Sequence, residues 1–249
     1  MRVYLAGDSY LKQTLTRLGN EKVSELFLLR TFVTNEPWFE PYYKICKDVI
    51  LDSGAFSFMS GKDVSKINWE EYVEKYAQFV VKNDIKHFIE LDIDAIVGFE
   101  EVKRLRKKLE NLTNRQPIPV WHKSRGKEAF LKDVVDYDYI ALGGFAIKNW
   151  KRKDYKFIEW FIKEAHKNNT KIHGLGFTNF SMLDTLKFDS VDSSSWTVGS
   201  RYGSISKFDG KKVVNISKKP GTKCVNQSEL AFHNFNEWSK FQQWALYNL

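Results

Sequence analysis

Six side chains that can attack an electrophile or carry a proton sit near the ends of short apolar runs in this 249-residue chain. They are Asp52 in LDSGAF (51–56), Asp92 and Asp94 in HFIELDID (87–94), His122 in PIPVWH (117–122), His173 in KIHGLG (171–176) and Asp192 in FDSVDSS (188–194). If the runs are strands whose ends converge, one carboxylate can attack a carbon bearing a leaving group while a second handles the proton. That division of labour is what glycosyl transfer through a covalent sugar–enzyme intermediate needs. Taken singly, each residue has a plainer reading. An aspartate at a strand end more often caps the next helix or ties a loop. His122 and His173 can be satisfied core histidines, and Gly54, Gly143 and Gly144 simple tight turns. Ser193 to Ser195 read as hydrogen-bonding turn residues, and Asp189 as the opposite end of its strand. What raises the set above its members is that the acidic and histidine positions fall on one expected face.

The elements that must position them alternate along the chain. Apolar runs recur at 2–7, 26–29, 48–54, 87–94, 117–122, 139–144, 171–176 and 188–194, several too continuous for strands with one wet face. Between them, 68–83, 99–112 and 154–169 carry apolar residues at helical spacing, and 178–188 reads as a short helix capped by Thr178 or Asn179. Eight strands alternating with helices predict an α/β fold of the (β/α)8 barrel type. The phosphate-loop pattern GxxxxGK[ST] is absent, and GLGFTNF lacks the third glycine of a dinucleotide fingerprint. The barrel is expected over 1–204. A second segment, 205–249, is expected to pack on it as a hairpin turning at Asp209-Gly210, in a type I′ turn, and an aromatic helix.

Composition narrows the class. Hydrophobic residues make up 43% of the chain, enough for a sizeable core and against extensive disorder. The formal charge of +8 favours a polyanionic partner, nucleic acid first. Two cysteines, Cys46 and Cys224, form no metal-ligand pattern. No run approaches a membrane span and the first residues lack a signal-peptide core, so a soluble cytoplasmic protein with no membrane partner is expected.

In this order and spacing the motifs resemble a family. LDSGAFSF (51–58) looks like the DSGGFQ element of the tRNA-guanine transglycosylases, and ALGGFAIKN (141–149) like their IGGLAVGE element. The stretch from His173 to Gly203 is similar to the segment that carries their nucleophile. The resemblance covers roughly residues 48–203. It implies base exchange on a nucleic acid: an aspartate attacks the sugar C1′, guanine leaves, and a free 7-deazaguanine base takes its place. By position it makes Asp192 the nucleophile and Asp52 the proton-transfer residue. Asp92, Gly143 and Gly144 would hold the base, with Phe56 stacked on it. His122, His173 and Gly174 fall beside the base, the two histidines where the family has a glutamine and a methionine. Arg201 matches an arginine of the nucleic-acid loop, whose first arginine is Val198 here.

The chain also departs from that family. Its cysteine-rich zinc site is missing, with only Cys224 and His233 in the region, and so is the RNA-binding domain of the archaeal branch. A compact, zinc-free relative is most similar to the 7-deazaguanine DNA transglycosylases of phages and bacteria. This implies DNA as partner, with RNA the alternative, and the host cytoplasm as location if phage-encoded. No cofactor or metal is required. Lys148, in the basic segment 148–156, would carry the strand, and Trp196 and Tyr202 either stack on bases or pack under the C-terminal helix. The rival classes are a carboxylate-pair glycoside hydrolase and a non-catalytic DNA-binding barrel.

Overall fold

The computed structural model describes residues 1–54, 58, 67–145, 150–217, 219, 221 and 226–249, except the side chains of Arg152, Ser200 and Arg201. Eight parallel strands form one sheet: β1 (Arg2–Ala6), β2 (Phe27–Thr31), β3 (Asp48–Asp52), β4 (His87–Phe88), β5 (Val120–Trp121), β6 (Tyr139–Leu142), β7 (Lys171–Gly174) and β8 (Ser190–Ser193). The order β4-β3-β2-β1-β8-β7-β6-β5 curls until its two outer strands meet. A parallel bridge from Ile89 to Ile118 joins them, with Glu90 N–H donating to Ile118 O at 3.0 Å and Ile118 N–H to Phe88 O at 2.7 Å. The result is a (β/α)8 barrel.

Helices follow the strands: α1 (Leu11–Val23), α2 (Tyr42–Ile45), α3 (Trp69–Lys82), α4 (Asp94–Val97), α5 (Phe99–Thr113), α6 (Gly126–Asp136), α7 (Tyr155–Lys167), α8 (Phe180–Leu183), α9 (Ser195–Tyr202) and α10 (Gln227–Asn248). The helix expected over 68–83 begins at Trp69, where the Asn68 side chain caps it by accepting from Glu71 N–H at 3.2 Å. Of the two caps weighed for the short helix, Asn179 is the one used, accepting from Ser181 N–H. None of the described helices is long and apolar enough to cross a membrane.

The two-residue period of the strands sorts the side chains. Tyr4, Phe27, Leu29, Ile50, Ile89, Val120, Tyr139 and Ala141 share the buried cluster within the barrel. Their neighbours Val3, Leu5, Leu28, Val49, Ile140, Leu142, Ile172 and Val191 join the larger cluster under the helices. Asp52, two residues beyond Ile50, therefore leaves the barrel interior at its C-terminal end, the face where such barrels carry their sites.

Charge reinforces the barrel where one bridge closes it. Glu90 is fully buried and its Oε1 accepts from Val120 N–H at 2.8 Å and from the Arg125 guanidinium at 2.7 Å. Arg106 of α5 lies 3.4 Å from the other Glu90 oxygen and 3.1 Å from Asp133 of α6. Neighbouring carboxylates thus offset the burial of two guanidiniums.

After β8 the chain turns through α9 into an antiparallel hairpin, β9 (Ser204–Phe208) and β10 (Val213–Ser217). The expected type I′ turn is not formed. Phe208 pairs with Val213, so the connection is the four residues 209–212, and only Gly210 has positive φ. The Asp209 side chain instead accepts from the N–H groups of Lys211 and Lys212, and Asp209 N–H donates to Lys212 O at 3.0 Å. Helix α10 joins the barrel's own core through Phe235, Trp238 and Phe241. Its buried Gln242 donates to Val3 O and Phe27 O and accepts from Phe27 N–H, fastening α10 to β1 and β2. Of the two residues in the region of the missing zinc site, Cys224 lies outside the described residues, and His233 is hydrogen-bonded to Ser206 O.

Replacing Arg125 with Leu should strip Glu90 of its nearest counter-charge and destabilise the fold by about 3–5 kcal/mol. Urea unfolding measures this, and a loss below about 1 kcal/mol would mean that the buried charges do not hold the barrel closed.

Candidate active site

A cavity of about 520 Å³ opens at the C-terminal end of the barrel, lined by Asp52, Asp92, His122, Gly144, Asp192 and Ser193 to Ser195 among others. The carboxylates come from β3, the segment after β4, and β8, so barrel closure brings them together.

Asp192 is set by strand register. The β7–β8 pairing places His173 level with Ser190, one inward step below Asp192. From there the fully buried imidazole spans both, Nδ1 lying 2.6 Å from Ser190 Oγ and Nε2 3.2 Å from Asp192 Oδ1. An ionised carboxylate only accepts, so Nε2–H donates to it. In the neutral ring Nδ1 then accepts from the Ser190 hydroxyl, which in turn accepts from Tyr139. Gly176 N–H donates to the same Asp192 oxygen at 2.5 Å. Both bonds fall on Oδ1. Among the described residues none is made to Oδ2, which is left for a ligand.

Asp52 ends β3. Its Oδ1 accepts from Gly54 N–H at 2.9 Å, a turn that needs Gly54 at φ +84°, where an added Cβ would meet Val33 at 2.3 Å. Tyr76 of α3 donates to Leu51 O and Ile89 O, and Tyr72 to Ser53 O, holding both ends of the turn. Burial pushes the Asp52 carboxyl up to about 6, and the charges of Asp92 and Asp192 add to the rise, against the pull of the Gly54 N–H. Near neutral pH it can hold or release a proton.

Asp92 accepts from His122 Nε2 at 2.7 Å, and Arg125 lies 3.6 Å away. Burial pulls the His122 pKa down, but the Asp92 hydrogen bond and the charges of Asp92 and Asp94 outweigh it, so the net shift is upward. Gly143 makes room for this ring, since a Cβ there would sit 2.5 Å from it. Asp92, Asp94 and His122 bring ligand-type atoms within 4.8 Å of one another, close enough to hold a metal ion. Arg125, 3.1 Å from Asp94, already supplies positive charge there.

The remaining expected site residues divide. Gly144 lines the cavity, whereas Gly174 does not border it and backs onto Phe177 and Phe188. Trp196 is 0% exposed, its indole N–H bonded to Ala6 O and its ring against Phe235 of α10, so it packs and cannot stack on a base. Tyr202 is 71% exposed. Phe56 and Lys148 lie outside the described residues, as does the side chain of Arg201. Sequence reasoning missed Glu90, Arg125, Ser190 and Tyr139. Glu90 carries a signal in hindsight: it stands two residues before Asp92 within an apolar run, where an unpaired charge is not tolerated.

No family model matches the chain, and no curated protein does. Among solved structures it is similar to a protein described as a fructose-1,6-biphosphate aldolase from Coccidioides immitis, with TM-score 0.53 and 12% identity over 98% of this chain and 86% of that one. KGPDC from Streptococcus mutans gives TM-score 0.47 and 10% identity over 96% and 98% of the two chains. The carboxyl transferase domain of Rhizobium etli pyruvate carboxylase gives 0.46 and 13% over 99% of this chain and 49% of that one. What the first likeness conveys is the barrel fold.

A raised carboxyl pKa in the folded state makes stability pH-dependent. The contribution of Asp52 is fully present below its unfolded value near 3.8 and is lost as pH rises through about 6. Asp52→Asn should therefore be more stable than the parent at pH 7, by up to about 3 kcal/mol, with most of the gain gone at pH 4. Urea unfolding at the two pH values checks this; an equal gain at both would place the effect elsewhere than in ionisation.

Proposed function

We propose that the chain is a base-exchange transglycosylase that replaces guanine in DNA with a 7-deazaguanine derivative. The observation that carries the reading is the trio of carboxylates around one cavity, each in a different environment: Asp192 anchored through one oxygen, Asp52 able to hold a proton near neutrality, and Asp92 bound to a histidine. The enzymes among its structural neighbours and the +8 charge agree with an enzyme that meets a polyanion.

The steps follow from these roles. Asp192 Oδ2 attacks C1′ of a deoxyguanosine turned out of any stack. The C1′–N9 bond breaks as Asp52 gives its proton to the departing guanine, leaving an aspartyl-sugar ester. The entering 7-deazaguanine loses its N9 proton to Asp52, its N9 bonds to C1′, and the ester C–O bond breaks to restore both carboxyl groups. The free Asp92 oxygen accepts from the N1–H and 2-amino groups that both bases share. His173 and Gly176 hold Asp192 so that Oδ2, not Oδ1, faces the sugar.

Incubating the protein with DNA or tRNA carrying labelled guanine, then analysing nucleosides by mass spectrometry, tests the reading and separates the two substrates. Asp192→Ala and Asp192→Asn should each abolish guanine release; near-normal turnover in either removes Asp192 from the chemistry. Formation of the ester needs Asp52 protonated, so single-turnover guanine release should fall as pH rises above about 6. Asp52→Asn should be slow and flat over the same range with nucleic-acid affinity nearly intact.

A further inference from the structure

Beside the active site lies a second hollow, of about 500 Å³, walled by Trp121, Trp150, Trp160 and Phe157 and bordered by Lys123, Lys127 and Asp154. That volume is in the roughly 300–1,000 Å³ range of small-ligand sites. Two links tie it to the catalytic cavity. Trp121, the last residue of β5, directly precedes His122, and the Trp150 indole N–H donates to Gly143 O at 2.8 Å, just before the cavity-lining Gly144.

Its chemistry restricts the occupant. Lys123 Nζ and Lys127 Nζ each sit 4.5 Å from a ring centroid, of Trp150 and Trp160 respectively. Asp154 neutralises Lys123 at 2.5 Å, whereas among the described residues no carboxylate pairs with Lys127. A cationic ligand would meet two ammonium groups. A purely apolar ligand would desolvate them without compensation. Trp121 and Trp150 are 4% and 6% exposed, so the rings open to a flat aromatic group attached to an anion are those of Trp160 and Phe157, beside Lys127. Phe157, 52% exposed, leaves one side of the wall open to such a ring.

We propose that this hollow takes the base of a nucleotide flanking the target guanine on a single strand, with the adjoining phosphate on Lys127. The inference rests on the nucleic-acid reading above and extends it to a second subsite, which holds the strand while the target enters the barrel mouth. Base stacking on aromatic side chains is sequence-tolerant, so the site anchors the strand and does not read it. It takes the role that buried Trp196 cannot fill.

Fluorescence anisotropy with the full protein and a labelled single-stranded DNA oligonucleotide containing one guanine tests the proposal. Trp160→Ala should weaken binding about tenfold, while Trp160→Phe retains most of it. Lys127→Glu, at an exposed position where folding is not at stake, should also weaken binding. Moving one abasic nucleotide along the strand should reveal a flanking position that costs the parent about tenfold and costs Trp160→Ala nothing. An RNA strand of the same sequence bound more tightly, with the same pattern, would support the subsite and assign it to RNA. If the parent binds and exchanges guanine but no variant or abasic position changes affinity, the subsite is refuted and the exchange reading stands. If the parent binds neither strand, both are overturned.

Discussion

The site depends on one guanidinium taken out of water. Arg125 reaches Glu90 at the barrel closure, Asp94 at the start of α4 and the edge of Asp92 in the mouth. A lone buried cation would cost several kcal/mol, so the three carboxylates are held to it as firmly as it is held to them. The strands there contribute two residues each and a single bridge. Ionic contacts therefore do at this seam what a longer ladder does elsewhere, and they also fix the height of Asp92 over the cavity.

With the seam fixed, environment alone can divide labour among like groups. Asp52 and Asp192 are the same side chain on the same rim. Asp192 receives a backbone N–H and an imidazole on one oxygen. Asp52 receives one N–H, and burial, together with the two neighbouring negative charges, pushes its carboxyl up to about 6. Two carboxyl groups of one residue type thus stand in different surroundings through geometry alone, which is what the proposed acid and nucleophile require.

Much of the architecture was legible in the sequence. The eight apolar runs and the intervening helical periods correspond to the strands and helices of a barrel, because burial on two faces and on one face leave different patterns. The convergence of Asp52, Asp92 and Asp192 followed from their places at strand ends. Contacts that depend on register or on distant partners were not legible. The relay from Tyr139 through Ser190 to His173 needs three strands in step. The burial of Trp196 needs α10, some 40 residues later. The hairpin turn went against its Asp-Gly signal because the Asp209 side chain found backbone donors of its own. Gly174 looked like a site glycine by position, but it lies off the cavity and backs onto two phenylalanines.

The amide of Gln242 has a bearing on how the chain is made. It binds Val3 and Phe27, the Met1 amino group donates to Ala245 O, and β1 needs β8 as its neighbour. Strand β1 therefore waits for a helix whose Gln242 lies 239 residues further along the chain than Val3 before its backbone and apolar face are covered. Contacts so far apart along the chain slow folding and prolong exposure of a sticky edge. A ribosome that stalls before α10 emerges would release a chain with an open first strand, a natural client for a chaperone.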